Sequence, residues 1–264
     1  MIAGRLISLF ENYVGRDCKW ENLNKSNLAK LVDGFRAEVC INSAITYCRY
    51  FKATFNEFSD QIDLPEGYER ILSLRKEATL STWLNIEEID RLIRYTPESE
   101  VEKLVVSQFI LGCLTGARHS DFINFTEDNL TKSGTLIYVS QKTKVNTEIP
   151  IADAARRIIL SGDAVGYVSD VTFNKRIRDI AKKCGIDERV QIFRAGEFKT
   201  GEKYKFIASH TARRSFATNL YLRCRDLFLV SKYMGHKQVD MTASYIMSIG
   251  QAPPEVMEYF EQFK

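Results

Sequence analysis

Six polar side chains are distributed along the chain in a way that suits work on a phosphodiester: Arg118, Lys142, His210, Arg213, His236 and Tyr245. Two arginines offer planar forks of donors to non-bridging phosphate oxygens and would stabilise the charge that builds on a pentacoordinate phosphorane without a metal. A lysine on a hairpin can protonate a departing oxygen, and a histidine exchanges protons near neutral pH. A tyrosine hydroxyl can attack phosphorus and form a new phosphodiester that stores the energy of the broken bond, so that rejoining requires neither ATP nor a hydrolytic water. This chemistry calls for no cofactor.

The elements that must position these groups can be read from local pattern. Ser209–Leu222, SHTARRSFATNLYL, reads as a helix capped by Ser209. A rotation of about 100° per residue sets Arg213 beside Phe216, Ala217 and Leu220, with His210 just off that apolar stripe. Burying an unpaired guanidinium is costly, so Arg213 needs an anion, supplied by a protein carboxylate or by a bound ligand such as phosphate. The uncharged run Leu104–Ala117 reads as a buried helix, too short to span a bilayer. It is followed by TGARHSDFINF, in which Arg118 and Asp121 are close enough to share one helical face. Thr135–Val139 and Val145–Ile151 read as a hairpin with Lys142 and Lys144 in its polar connection. Val171–Cys184 makes a basic amphipathic helix stopped by Gly185, and Val190–Tyr204 is an irregular loop or a second small hairpin. Asp226 caps a helix that stops at Gly235 in YMGH, and Asp240 caps a short one carrying Tyr245. Pro253 and Pro254 introduce a last amphipathic helix, Glu255–Phe263.

Upstream, helical periodicity runs through Leu6, Leu9, Phe10 and Tyr13, then Leu28, Leu31, Val32 and Phe35, then Ile45, Tyr47, Phe51, Phe55 and Phe58. Three or four helices of this length make a small bundle, in which the aromatics near Arg49 and Lys52 read as core. The pattern lapses between Leu74 and Trp83, which marks a linker between residues 1–78 and 84–264. Beyond it Asn85, with Glu88 three positions on, signals a helix start at about Ile86. Formal charge is uneven: residues 171–237 carry 16 basic and 6 acidic side chains although the whole chain is only +3. That concentration favours a polyanionic partner. Six cysteines without a C-x-x-C pair read as buried, reduced thiols of an intracellular, cytoplasmic protein. Neither they nor the three histidines have zinc-ligand spacing, so no metal is expected. The N-terminus makes a poor signal peptide, and no membrane association is expected.

Four phrases, TGARHSDFINF, QKTKVNTEIPI, HTARRSFATNLY and YMGHKQVDMTASY, stand in the order in which the tyrosine recombinase family of phage and mobile-element integrases carries them, with the tyrosine nine residues after the G-H pair. The sequence resembles that family well over about residues 85–250. The resemblance implies a mainly α fold with a small antiparallel sheet, in which an N-terminal helical DNA-binding bundle precedes a catalytic domain. It implies a site-specific recombinase that cleaves and rejoins double-stranded DNA through a 3′-phosphotyrosyl link. Arg118 and Arg213 would clamp the scissile phosphate, His210 would exchange a proton near the tyrosine, and His236 would donate a hydrogen bond to the phosphate. Lys142, whose rival is Lys144, would protonate the departing 5′ oxygen; Asp121 would orient Arg118, and Tyr245 would attack. Arg214 stands where many members have histidine and receives no role, and His119 is structural. Four protomers would act on two paired duplexes through a Holliday junction, with a monomer or weak oligomer when free, and the tail helix would link neighbours. Two rivals remain: relaxation of DNA in the manner of a type IB topoisomerase, and a DNA-binding accessory protein that does not cut.

Overall fold

Four helices open the chain in a computed structural model that describes residues 2–77 and 79–246: α1 (Ile2–Val14), α2 (Lys25–Glu38), α3 (Ile41–Glu57) and α4 (Tyr68–Ile71). They form because apolar residues recur every three or four positions and Asn24 caps α2 by accepting the Asn27 N–H at 3.0 Å. Leu9 and Phe10 of α1, Leu28, Leu31 and Phe35 of α2, and Cys48, Phe51 and Phe55 of α3 share one core. Tyr47 packs edge-on against Phe35, whereas Tyr50 departs from the core reading and is exposed. These helices belong to the first of two compact units, Met1–Leu80 with Phe193–Lys199; the second comprises Ser81–Ile192 with Thr200–Lys264.

The second unit begins with α5 (Ile86–Ile93), started by a reciprocal cap in which Glu88 N–H donates to Asn85 Oδ1 and Asn85 N–H donates to Glu88 Oε2, both at 2.8 Å. The buried Glu88 carboxylate also accepts from Lys203 Nζ at 2.8 Å, so neither buried charge is left unpaired. Next comes α6 (Glu100–Thr115), the central helix, buried on nearly every side. It starts earlier than the uncharged run because Ser99 caps it and Glu100 and Glu102 suit its positive end. It stops before Ala117 because Gly116 turns left-handed, at φ 65°.

A single helical turn, α7 (His119–Phe122), leads to strands β1 (Thr135–Val139) and β2 (Asn146–Pro150), which pair antiparallel with Ile137 opposite Glu148. Leu136, Tyr138, Thr147 and Ile149 point inward, as the two-residue alternation demands. Two helices follow, α8 (Asp153–Ser161) and α9 (Asp170–Lys183), the latter capped by Ser169. Strands β3 (Arg189–Arg194) and β4 (Glu197–Glu202) form a second two-stranded sheet, which settles the reading left open between loop and hairpin. The remaining described helices are α10 (Ser209–Cys224), α11 (Leu227–Tyr233) and α12 (Val239–Ile246). The fold is thus mainly helical with two small sheets. The expected helix after Pro254 lies outside the described residues.

Three local expectations are corrected. Ser209 is the first residue of α10 and not its cap: Ala208 is, because Thr211 Oγ1 accepts the Ala208 N–H at 3.0 Å and Asn174 Oδ1 of α9 accepts the Ser209 N–H at 2.8 Å. Asp240 lies within the first turn of α12 and does not cap it. Of the six cysteines, all unpaired, only Cys48 and Cys113 are buried, and Cys40 is exposed beside the start of α3.

Candidate active site

Arg213 is the largest fully buried side chain of the described residues, at 1% exposure. One guanidinium nitrogen donates to the Gly116 carbonyl, and Nη2 donates to the Met234 carbonyl at 2.6 Å and to His236 Nε2 at 2.7 Å. These partners engage both terminal nitrogens, leave the buried Nε without a hydrogen-bond partner, and do not neutralise the charge. Among the described residues no carboxylate forms an ion pair with Arg213, Arg118 or Lys142. The choice posed by the sequence, carboxylate or ligand, therefore meets a third arrangement: carbonyl dipoles hold the guanidinium and its charge stays available. Burial and the nearby Arg118 charge both pull the Arg213 pKa down, the direction expected of an uncompensated cation.

Two glycines create this arrangement. Gly116 ends α6 at φ 65°, and a Cβ there would fall 2.3 Å from the Phe216 ring, so only glycine lets its carbonyl meet Arg213 and the chain turn toward Arg118. Gly235 ends α11 at φ 59°, and a Cβ there would lie 2.7 Å from Thr147 Oγ1 of β2. This close approach delivers the next residue, His236, to Arg213.

Guanidinium groups only donate, so His236 Nε2 is an acceptor; its proton sits on Nδ1 and is donated to Thr242 Oγ1 at 2.7 Å. Burial, then the charges of Arg213 and Arg118 and the His210 ring, push the His236 pKa down to about 3. Nε2 is thus engaged by Arg213, and an Nε2 donor to phosphate would require a change of tautomer or of charge. His210, in the first turn of α10, lies 2.7 Å through Nε2 from the Tyr245 hydroxyl. Part of its ring is exposed, yet its inner edge is desolvated and faces Arg214, Arg213, Arg118 and Lys142; desolvation and these charges lower its pKa to about 4. At neutral pH both rings are uncharged. Tyr245, on α12, packs its ring 5.2 Å from His210 and 5.7 Å from His236, centroid to centroid.

Arg118 is not part of a helix shared with Asp121. It precedes α7 in an extended conformation, at φ −76° and ψ 157°, and Nη1 donates to Ser140 Oγ at 3.0 Å. Ser140 Oγ donates in turn to Asp121 Oδ2 at 3.0 Å, while Asp121 Oδ1 accepts the Gln141 N–H at 2.8 Å. Asp121 is 4% exposed, so it is no surface acid; its link to Arg118 runs through Ser140. Lys142 is exposed on the same turn, within electrostatic reach of His210. Lys144 takes the strained left-handed position of that turn, at φ 54°. Arg213, His236, His210 and Tyr245 are therefore in direct contact, with Arg118 and Lys142 joined to them through charge. His119 stays apart, edge-on to Phe122 and Phe173. Among the described residues no three His, Cys, Asp or Glu side chains gather as a metal site.

With this geometry in hand the family can be assigned, since the model of the phage integrase family matches residues 82–250, more than half of the sequence and a span that contains the six positions. The chain belongs to the phage integrase family. Tyrosine recombinase XerD of Oceanobacillus iheyensis is 23% identical over 247 residues, spanning 86% of this chain and 78% of that protein. Two solved structures share the fold: XerH site-specific recombinase bound to palindromic difH substrate in a post-cleavage complex, and a lambda integrase tetramer bound to a Holliday junction. For XerH the TM-score is 0.68 at 15% identity, over 98% of this chain and 80% of the other. For the lambda integrase it is 0.63 at 18% identity, over 94% and 71%.

In this member of the phage integrase family, Ser140 and Thr242 hold site residues that the sequence reading did not reach. Ser140 abuts the lysine connection, and Thr242 sits inside MTASY, but a hydroxyl gives no periodic signal of its partner. Ser140→Ala should leave Asp121 short of a donor and free Arg118 to swing. Expected results are a melting free energy lowered by about 1 kcal/mol and DNA cleavage about tenfold slower, read by thermal denaturation and single-turnover cleavage. Unchanged cleavage would remove Ser140 from the site.

Proposed function

We propose that the protein is a site-specific DNA recombinase that breaks and rejoins strands through a 3′-phosphotyrosyl intermediate. The observation that carries this reading is the contact of Tyr245 with His210 beside a buried arginine that has no carboxylate partner among the described residues. Among the described residues no helix is long and apolar enough to cross a membrane.

The step balances without a co-reactant. Tyr245 Oη attacks the scissile phosphorus and passes its proton to His210 Nε2, with the other proton of that ring on Nδ1. The bond from phosphorus to the 5′ oxygen breaks, and Lys142 Nζ protonates that oxygen as it leaves. Arg118 and Arg213 hold the non-bridging oxygens, and their unneutralised charge is already aimed where negative charge grows, so little reorganisation is needed during reaction. A phosphate diester brought among these groups offsets the cationic field and raises the pKa of both histidines, which converts His236 into a donor. Rejoining reverses each transfer with a new 5′ hydroxyl, and no bond energy is lost to water. Four protomers on two duplexes exchanging strands through a Holliday junction is the assembly this reading adopts, in line with the lambda integrase tetramer.

A suicide substrate tests the reading. A duplex carrying the cognate site and a nick that lets the released fragment diffuse away should trap a covalent adduct, and peptide mapping should place the nucleotide on Tyr245. The absence of adduct on every site tested, with DNA binding intact, would favour the accessory protein. Site-independent relaxation of supercoils would favour the topoisomerase.

A further inference from the structure

Arg214 follows Arg213 in α10, and both lie beside Tyr245. Its guanidinium carbon lies 5.2 Å from the centroid of the Tyr245 ring, over the ring face. His210 and His236 flank the same ring, tilted to it by 48° and 39°. The tyrosine is thus set among nitrogen-bearing side chains, the Arg213 guanidinium among them, and Arg214 is the cation that lies over its ring face. A cation above an aromatic face is attracted by the ring's electrons, and that attraction grows when the phenol becomes a phenolate, because the ring then carries net negative charge. The contact therefore favours the state in which the hydroxyl has given up its proton. It favours that state again when tyrosine departs during rejoining.

We propose that Arg214 is a positioning residue for the nucleophile: its guanidinium fixes the Tyr245 ring against His210 and supplies the positive field in which the tyrosine proton passes to Nε2. The proposal rests on the phosphotyrosyl reading and adds to it a residue outside the six. His210 is faced by Arg213 and Arg214 on its own helix, Arg118 ahead of α7, Lys142 on the hairpin, His236 after α11 and Tyr245 on α12. After desolvation, Arg214 is the foremost of the charges that keep His210 unprotonated, hence able to accept. One side chain thereby acts on both partners of the proton transfer.

The test uses the full chain with Arg214→Gln and Arg214→Lys. In the glutamine variant the loss of a neighbouring cation should raise the His210 pKa by about one unit in an NMR titration without DNA. A base must be neutral to act, so the acid limb of single-turnover adduct formation should move to higher pH by the same amount. Well above that limb the rate should fall about tenfold, through the lost ring contact. Arg214→Lys, which keeps the charge, should hold the limb and the His210 pKa at their wild-type positions. If the glutamine variant does not fold, the lysine variant alone decides, since a displaced limb there would overturn the proposal. An unchanged His210 titration in Arg214→Gln would overturn it as well. The titration needs no cleavage, so a wild-type protein that forms no adduct would count against the phosphotyrosyl reading while Arg214 is still judged.

Discussion

Tyr245→Phe is expected to abolish the covalent protein–DNA adduct, slowing cleavage about 10⁴-fold or more, while the protein still folds and binds its site. The substitution removes one oxygen and keeps the ring, whose contacts with His210, His236 and Arg214 hold it in place. The lost hydrogen bond to His210 costs about 1 kcal/mol, the scale of a single neutral hydrogen bond. Removal of a nucleophile, by contrast, deletes the covalent path altogether, and what survives is only the binding and electrostatic contribution of the remaining groups. Among the described residues, Tyr233 packs against a different cluster, around Phe122 and Leu136, and offers no substitute. The measurement is adduct formation on the suicide substrate together with a DNA-binding assay. An adduct that persists at wild-type rate would mean that another side chain is the nucleophile.

Most of the residues that meet at this candidate site were legible in the sequence, but little of its wiring was, for a physical reason. Caps and periodicity act within a few residues, so the start of α5 at Asn85, the stop at Gly235 and the hairpin around Lys142 could be read from local pattern. The Ala208 cap could not, because the acceptor for the neighbouring Ser209 N–H is Asn174, which comes from another helix 35 residues away. Arg118 and Asp121 have the spacing of a helical pair, yet the chain is extended at Arg118, and a serine from β1's end comes between them. For Arg213 the sequence could show that a charge lay on an apolar stripe. It could not show that two helix C-termini, at Gly116 and Met234, would aim carbonyls at it. Such contacts are made between main-chain groups, which every residue possesses, and side-chain pattern is blind to them.

Those two carbonyls set the terms for the second large effect. Arg213→Gln should slow cleavage about 10³-fold, the scale on which a preorganised donor to a developing anion acts, yet leave the protein no less stable than wild type. Burying a guanidinium without an anion costs several kcal/mol, and the Arg213 Nε is buried without a hydrogen-bond partner besides. Leaving two carbonyls short of a donor costs about 1–3 kcal/mol each, and the glutamine amide can recover one of them. The two sides are close, with the relief of charge on the favourable side, so melting temperature should hold or rise while activity collapses. An arginine kept at the expense of stability is what a site awaiting a phosphate requires. The same variant should raise the His236 pKa from about 3, since Arg213 is the nearest charge holding it down and the donor that pins its Nε2. Thermal denaturation, single-turnover cleavage and His236 titration check the three outcomes separately. Cleavage within tenfold of wild type in a folded variant would show that Arg213 does not hold the phosphate. A large loss of stability would show that the carbonyl contacts, and not the free charge, are what this buried arginine contributes.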